Sequence, residues 1–222
     1  MTEIYIDSAN INEIKTVFDL NIIKGVTTNQ KIFLKEKGCN FEEQSKKILK
    51  MVDPYPVSLE GPNDASDILI VADKYNSWND NVVIKVPMLP RLDSLLVIQE
   101  LSKKGIMTNA TACMDLNQVY LASESGANYV SLFYCRMRDA WGDEYARYTI
   151  NKAMELLEES KTKLIIGSVR EPNDVNVLLG LQPDIITVPY KILSNMCTNK
   201  VTEKVLQDFD KAWREFKKYE KV

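Results

Sequence analysis

Short apolar runs rich in Val and Ile recur eight times along the chain, at residues 3–7, 22–27, 56–60, 82–85, 107–111, 129–133, 163–168 and 184–188. Runs this short and this uniformly apolar read as strands buried on both faces, the mark of a parallel sheet covered by helices. Residues 41–51, 63–75, 93–103, 115–125 and 144–159, which lie between them, carry apolar residues at helical spacing. Eight strands alternating with helices in 222 residues fit the size and element count of a (β/α)8 TIM barrel, so residues 1–222 are expected to form a single barrel domain. A doubly wound open sheet would alternate in the same way. However, no Gly-x-Gly-x-x-Gly turn follows the first strand and no Walker-type loop occurs.

One further segment, residues 202–219, places Val205, Leu206, Phe209, Trp213 and Phe216 at helical spacing among charged residues. It is expected to be an additional C-terminal amphipathic helix. Two placements are open to it: against its own barrel, or as an arm on a neighbouring subunit.

Charge and composition narrow the function. With 28 Lys and Arg against 31 Asp and Glu, the net charge of −3 gives no general attraction to nucleic acid or to an anionic membrane surface. No stretch approaches the roughly 18 apolar residues of a membrane span, and the first residues lack a basic segment followed by an apolar one, so a cytoplasmic protein is expected. The chain has no histidine, which excludes Ser-His and Cys-His nucleophile pairs and the commonest transition-metal ligand. Cys39, Cys113, Cys135 and Cys197 form no Cys-x-x-Cys and read as reduced thiols, so no metal site is expected. Acid–base chemistry must then rest on carboxylates, lysine, tyrosine or water.

In a barrel, the carboxyl ends of the strands share one mouth, where active sites lie. The polar residues there are Asp7, Thr27, Thr28, Asn29, Glu60, Lys85, Asn109, Thr111, Ser131 and Ser168, with Arg136 and Arg170 just beyond. Together they suit a polyhydroxylated anion and proton transfer on it. Lys85 lies between Val82-Val83-Ile84 and Val86-Pro87-Met88, where poor solvation would favour the neutral, nucleophilic amine. The alternative is an ordinary lysine that reaches solvent or pairs with Glu60 or Asp7.

These residues carry a resemblance that covers nearly the whole chain. Ile-Asp-Ser-Ala-Asn at 6–10, Gly-Val-Thr-Thr-Asn at 25–29, Val-Ser-Leu-Glu at 57–60, Val-Ile-Lys-Val-Pro at 83–87, Thr-Asn-Ala-Thr at 108–111, Tyr-Val-Ser-Leu-Phe at 129–133, Gly-Ser-Val-Arg at 167–170 and Ile-Thr-Val-Pro at 186–189 resemble, in order, the motifs of the small transaldolase family, which includes the fructose 6-phosphate aldolases. The resemblance implies a cofactor-free mechanism. Lys85 would form a Schiff base with a ketose phosphate such as sedoheptulose 7-phosphate or fructose 6-phosphate, and pass a dihydroxyacetone unit to an aldose phosphate. Asp7 would take the C4 hydroxyl proton, and Glu60 and Thr111 would hold the proton-shuttling water. Asn29, Asn109 and Ser131 would hold the dihydroxyacetone hydroxyls, Arg136, Ser168 and Arg170 would form the phosphate site, and Thr28 and Phe133 would also belong to the substrate-binding set. Glu60 and Phe133 are similar to the transaldolases, where the aldolases tend to carry glutamine and tyrosine. The resemblance also implies a homo-oligomer, a pentamer or decamer.

Gln30, Leu132 and Cys135 depart from the family pattern, which has proline, proline and glycine there. The segment Met137-Arg138-Asp139-Ala140-Trp141 is unusual too, and is expected to be a surface loop, with a reshaped pocket around Arg138 and Trp141 as the alternative. An aldolase that releases free dihydroxyacetone or serves specialised sugar synthesis, and a non-catalytic sugar-phosphate binder, are the competing functions.

Overall fold

The structure is a computed structural model that describes residues 1–220. Eight parallel strands close into a barrel in chain order: β1 Glu3–Asp7, β2 Val26–Thr27, β3 Val57–Glu60, β4 Val82–Pro87, β5 Thr108–Cys113, β6 Tyr129–Phe133, β7 Lys163–Gly167 and β8 Ile185–Val188. The ring closes where β1 pairs with β8, Glu3 opposite Ile185. The helices are α1 Ile11–Asp19, α2 Gln30–Phe33, α3 Phe41–Val52, α4 Ala65–Asn76, α5 Asp93–Lys103, α6 Leu116–Glu124, α7 Tyr134–Trp141, α8 Asp143–Leu157, α9 Pro172–Leu181, α10 Tyr190–Leu193 and α11 Lys200–Tyr219. The expected (β/α)8 barrel with an additional C-terminal helix is therefore present.

Alternation along the strands sorts side chains between two cores. Val26, Val57, Leu59, Val82, Ile84, Val86, Ala110, Val130, Leu164 and Ile166 belong to the large buried cluster shared with the helices. Their neighbours, one residue on, turn to the barrel axis, because successive strand residues face opposite ways. The axial residues change character along the barrel. Tyr5, Ile165, Ile185 and Tyr129 form an apolar layer at the amino end. Two residues further along the same strands stand Asp7, Gly167, Thr187 and Ser131. This polar layer cannot sit deeper, where an unpaired carboxylate would be excluded.

Several elements differ from expectation. β2 is only Val26–Thr27, because residues 22–25 approach β1 as an irregular lead-in, with the Lys24 N–H donating to Ile4 O (2.8 Å) and the Ile6 N–H to Gly25 O (3.0 Å). Gly25 is required there: a Cβ would lie 2.5 Å from the Tyr5 ring. Residues 137–141 are not a surface loop but the body of α7, with Tyr134, Cys135 and Met137 buried against the barrel. Helices α1 and α9 were not anticipated. Asn10 caps α1 by accepting from the Asn12 and Glu13 N–H groups, and a capping box of Glu171 and Asp174 starts α9. All four cysteines are free thiols.

Helix α11 follows the expected boundaries, but every residue of it is exposed. Phe209, Trp213 and Phe216 are 66%, 55% and 53% exposed. This overturns its packing on its own barrel. No helix among the described residues is long and apolar enough to cross a membrane.

Candidate active site

The polar layer opens into a cavity of about 140 Å³ lined by Asp7, Thr27, Asn29, Lys85, Thr111, Ser131, Phe133, Arg136, Gly167, Ser168 and Thr187. Strand register brings these residues together. Glu60, Lys85 and Asn109 are opposite one another on β3, β4 and β5, and Asp7 is opposite Thr27 on β2. They form three hydrogen-bonded groups.

Lys85 is 5% exposed. Its Nζ lies 3.0 Å from Glu60 Oε2 and donates to Thr28 O at 3.0 Å. The pairing open as an alternative from the sequence is therefore realised, with Glu60. Burying an ammonium is tolerable only with partners of this kind, and the pair holds the amine at one position on the cavity wall.

Asp7 receives a hydrogen bond from Thr27 Oγ1 (2.7 Å), and Thr27 Oγ1 and Thr187 Oγ1 lie 2.5 Å apart. Burial pushes the Asp7 carboxyl above the ordinary carboxylate range, and Lys85, the Thr27 hydroxyl and Lys35 only partly offset it. A carboxylate with raised proton affinity inside a cavity is suited to act as a base.

The third group is a buried ladder in which Ser131 Oγ donates to Asn109 Oδ1 (2.8 Å) and Asn109 Nδ2 to Ser58 Oγ (3.2 Å). Beside it, the Thr111 hydroxyl is buried and has no hydrogen-bond partner among the described residues. Such a group is costly unless it meets a ligand or solvent molecule. Asn29 caps α2, its Oδ1 accepting from the Ile32 N–H (3.0 Å), so its orientation at the cavity edge is fixed by the helix.

Of the sequence-predicted residues, Asp7, Asn29, Lys85, Thr111, Ser131, Phe133, Arg136 and Ser168 line the cavity. Glu60, Thr28 and Asn109 stand behind that wall, in contact with Lys85 or Ser131. Arg170 does not line it: its guanidinium pairs with Asp139 at 2.6 Å. Arg138 likewise turns away from the cavity to Asp174, at 2.5 Å, and does not line it. Arg136 makes no ion pair with a carboxylate among the described residues and is the cation at the mouth. Beside it Ser168 has φ +62°, a left-handed conformation that costs a non-glycine residue about 1–3 kcal/mol and concentrates at functional sites. Thr27, placed at the mouth by the sequence, lines the cavity as well, whereas Gly167 and Thr187 were missed, although the alternation that turns Ile166 and Val188 outward would have placed them inward.

A fixed, buried amine beside a carboxylate, with a second carboxyl and an unpaired hydroxyl across a small cavity, defines a candidate active site at the carboxyl end of a (β/α)8 barrel. The comparisons define the family within that fold. The transaldolase/fructose-6-phosphate aldolase family matches residues 4–221, and the chain belongs to it. It is 36% identical over 218 residues to a protein of Pelotomaculum thermopropionicum named "Probable transaldolase", covering 97% of this chain and 99% of that one. Proteins of the same name from Thermoplasma volcanium (34% over 224 residues, 96% and 95% covered) and Moorella thermoacetica (36% over 217 residues, 96% and 98% covered) are similarly close.

Proposed function

We propose that the chain is a transaldolase that moves a dihydroxyacetone unit from a ketose phosphate to an aldose phosphate through a Schiff base on Lys85. The observation that carries this reading is Lys85 itself, an amine 5% exposed on the wall of the barrel cavity with Glu60 at 3.0 Å and Asp7 and Thr111 on the same cavity. The ammonium must lose a proton before Nζ can attack the ketone, and Glu60 is the adjacent acceptor. Addition gives a carbinolamine; loss of water, with protons shuttled by a water molecule that Glu60 and Thr111 hold, gives the iminium. Asp7 takes the C4 hydroxyl proton as the C3–C4 bond breaks, the electron pair passes into the iminium, the carbons from C4 onward depart as an aldose phosphate, and a lysine-bound enamine remains. The incoming aldehyde reverses these steps, and Asp7 returns the proton.

Asn29, Asn109 and Ser131 support this reading as holders of the three-carbon unit, since Ser131 and Asn109 are already fixed by their mutual bond. Arg136 and Ser168 suit the phosphate oxygens. Arg170 joins them in this reading only if the ligand draws it from Asp139. Phosphorylated sugars and reduced thiols both fit the cytoplasm.

The enzyme acts as a homo-oligomer in this proposal. Helix α11 is an exposed amphipathic arm attached to the barrel, with an aromatic face of the kind that becomes buried between subunits, and its partner is a second copy of the chain.

The decisive experiment is borohydride reduction during turnover of fructose 6-phosphate, followed by mass spectrometry. A reduced adduct on Lys85, absent from Lys85→Ala, is expected; an unmodified Lys85 would overturn the mechanism. Release of dihydroxyacetone without an acceptor, at a rate matching transfer, would assign an aldolase instead.

A further inference from the structure

Asp174 belongs to none of the motifs that carry the family resemblance, yet its side chain is 1% exposed and lies where two elements of the mouth meet. Oδ2 accepts from the Arg170 N–H (2.9 Å), the Glu171 N–H (3.0 Å) and the Cys135 thiol (3.2 Å). Oδ1 accepts from Arg138 Nη1 at 2.5 Å. The two N–H groups belong to the turn that follows Ser168, and Cys135 and Arg138 flank Arg136 on α7. A second link joins the same elements, because the Cys135 N–H donates to Ser168 O at 3.3 Å.

A capping acid at the third position of α9 needs only the Glu171 N–H and sits well in water. Asp174 does more: it is buried and reaches a second helix. Burial opposes its ionisation, but the Arg170 N–H, the Cys135 thiol, the Arg138 guanidinium and the Glu171 N–H together hold the carboxyl below its ordinary range. It is therefore an anion, and it pushes the Cys135 thiol up to about 12, after burial itself. An anion this close to a phosphate site would repel phosphate if its charge were not met, and Arg138 meets it.

We propose that Asp174, neutralised by Arg138, is the positioning residue of the anion site, fixing the Ser168–Arg170 turn against α7 so that Ser168 and Arg136 face one phosphate group. This rests on the assignment of the phosphate to Arg136 and Ser168 above. The clasp acts on the substrate's tail and not on the amine, so it governs binding of phosphorylated substrates while leaving reaction of Lys85 with an unphosphorylated ketone untouched. Cys135 takes part where the family pattern has glycine, which has no side chain to donate.

Asp174→Asn keeps an oxygen for the two N–H groups but presents an amide donor to Arg138, and Arg138→Met removes the clasp from the other side. The measurements are KM and kcat for fructose 6-phosphate, competitive inhibition by inorganic phosphate, and the rate of borohydride-trapped adduct with dihydroxyacetone, beside the melting temperature. Both variants should raise KM and the phosphate inhibition constant about tenfold, with kcat and the dihydroxyacetone adduct within about twofold of the parent. Arg138→Lys should recover part of the loss. If both phosphate constants stay at the parental value while the melting temperature falls, or if the dihydroxyacetone adduct declines in step with KM, Asp174 is a cap or a general prop and the inference is overturned. Should Asp174→Asn not fold, Arg138→Met decides by the same outcomes. Absence of any adduct in the parent enzyme would instead strike at the Schiff-base reading, leaving phosphate inhibition to be judged separately by protection of the fold against heat.

Discussion

Glu60 Oε2 and Lys85 Nζ lie 3.0 Å apart on adjacent strands whose register puts the two residues directly opposite each other. Both side chains are nearly buried, 12% and 6% exposed, so the pair forms in a poorly solvated wall and not on a surface. The register therefore determines two things at once, the placement of the amine and the identity of the carboxylate beside it.

Glu60→Gln follows from that pairing. The carboxamide keeps the shape but cannot take up and return a proton, so formation of the Lys85 adduct should slow by about a hundredfold, the contribution of a positioned proton carrier. Mass spectrometry should still find the reduced adduct on Lys85 after long incubation. Stability should fall by about 3 kcal/mol at most, because Thr28 O still accepts from Nζ. An unchanged adduct rate would remove Glu60 from the proton relay.

Asp7→Asn tests the opposite balance. Burial raises the Asp7 carboxyl above its ordinary value, with Glu60 adding to the rise and Lys85, Thr27 and Lys35 countering it. The folded state thus holds this proton more tightly than the unfolded chain, and stability falls as pH rises from the ordinary aspartate value through the raised one. Asn carries no charge to bury. The variant should melt higher than the parent at neutral pH, on the order of 2–4 °C if about 1 kcal/mol is recovered, and the gap should close on acidification. Cleavage should drop by about a hundredfold or more while the Lys85 adduct still forms. A lower melting temperature at neutral pH would show that Thr27 and Lys85 outweigh the cost of burial.

The site was legible because strand ends are few and polar residues in apolar runs stand out: Lys85 within Val-Ile-Lys-Val-Pro and Asp7 at the end of β1 lie where expected. Side-chain direction was not. Nothing in the spacing of Arg170 tells that Asp139, on a helix read as a loop, takes its guanidinium. Helix α7 escaped notice because Arg136, Arg138 and Asp139 interrupt the apolar period that Tyr134, Cys135 and Met137 begin, so the barrel wall stabilises it more than its own pattern does. Asp174 was hidden for a related reason, since its partners come from two elements distant in sequence.

Thr111→Val separates function from stability. The hydroxyl is buried and unpaired among the described residues, so replacing it with a methyl of similar size removes no protein hydrogen bond. Thermal unfolding should be unchanged or stabilised by up to about 1 kcal/mol. If Thr111 holds the shuttling water with Glu60, adduct formation on Lys85 should slow by about tenfold or more, without a matching rise in KM. A fall of several degrees in melting temperature would mean that the hydroxyl has a structural partner.

The last prediction concerns α11, whose aromatic face has no cover within its own barrel. Val205, Phe209, Trp213 and Phe216 follow one another at spacings of four, four and three, so they form a single stripe, and Trp213 and Phe216 stack with centroids 5.6 Å apart. Lys204, Asp208, Lys211 and Glu215 carry the charge elsewhere on the helix, and Lys217 reaches over the Trp213 ring. A stripe of this kind left in water would promote indiscriminate association, whereas docking on a second copy buries it in a closed assembly. Sedimentation velocity should therefore give a species several times the 25.4 kDa of one chain. The double substitution Phe209→Glu and Trp213→Glu, which places charge in the middle of the stripe, should yield a folded monomer. Its adduct with Lys85 should persist, because every residue of the cavity comes from the barrel. A parent protein that sediments as one chain at micromolar concentration would rule out the second copy as the partner of α11.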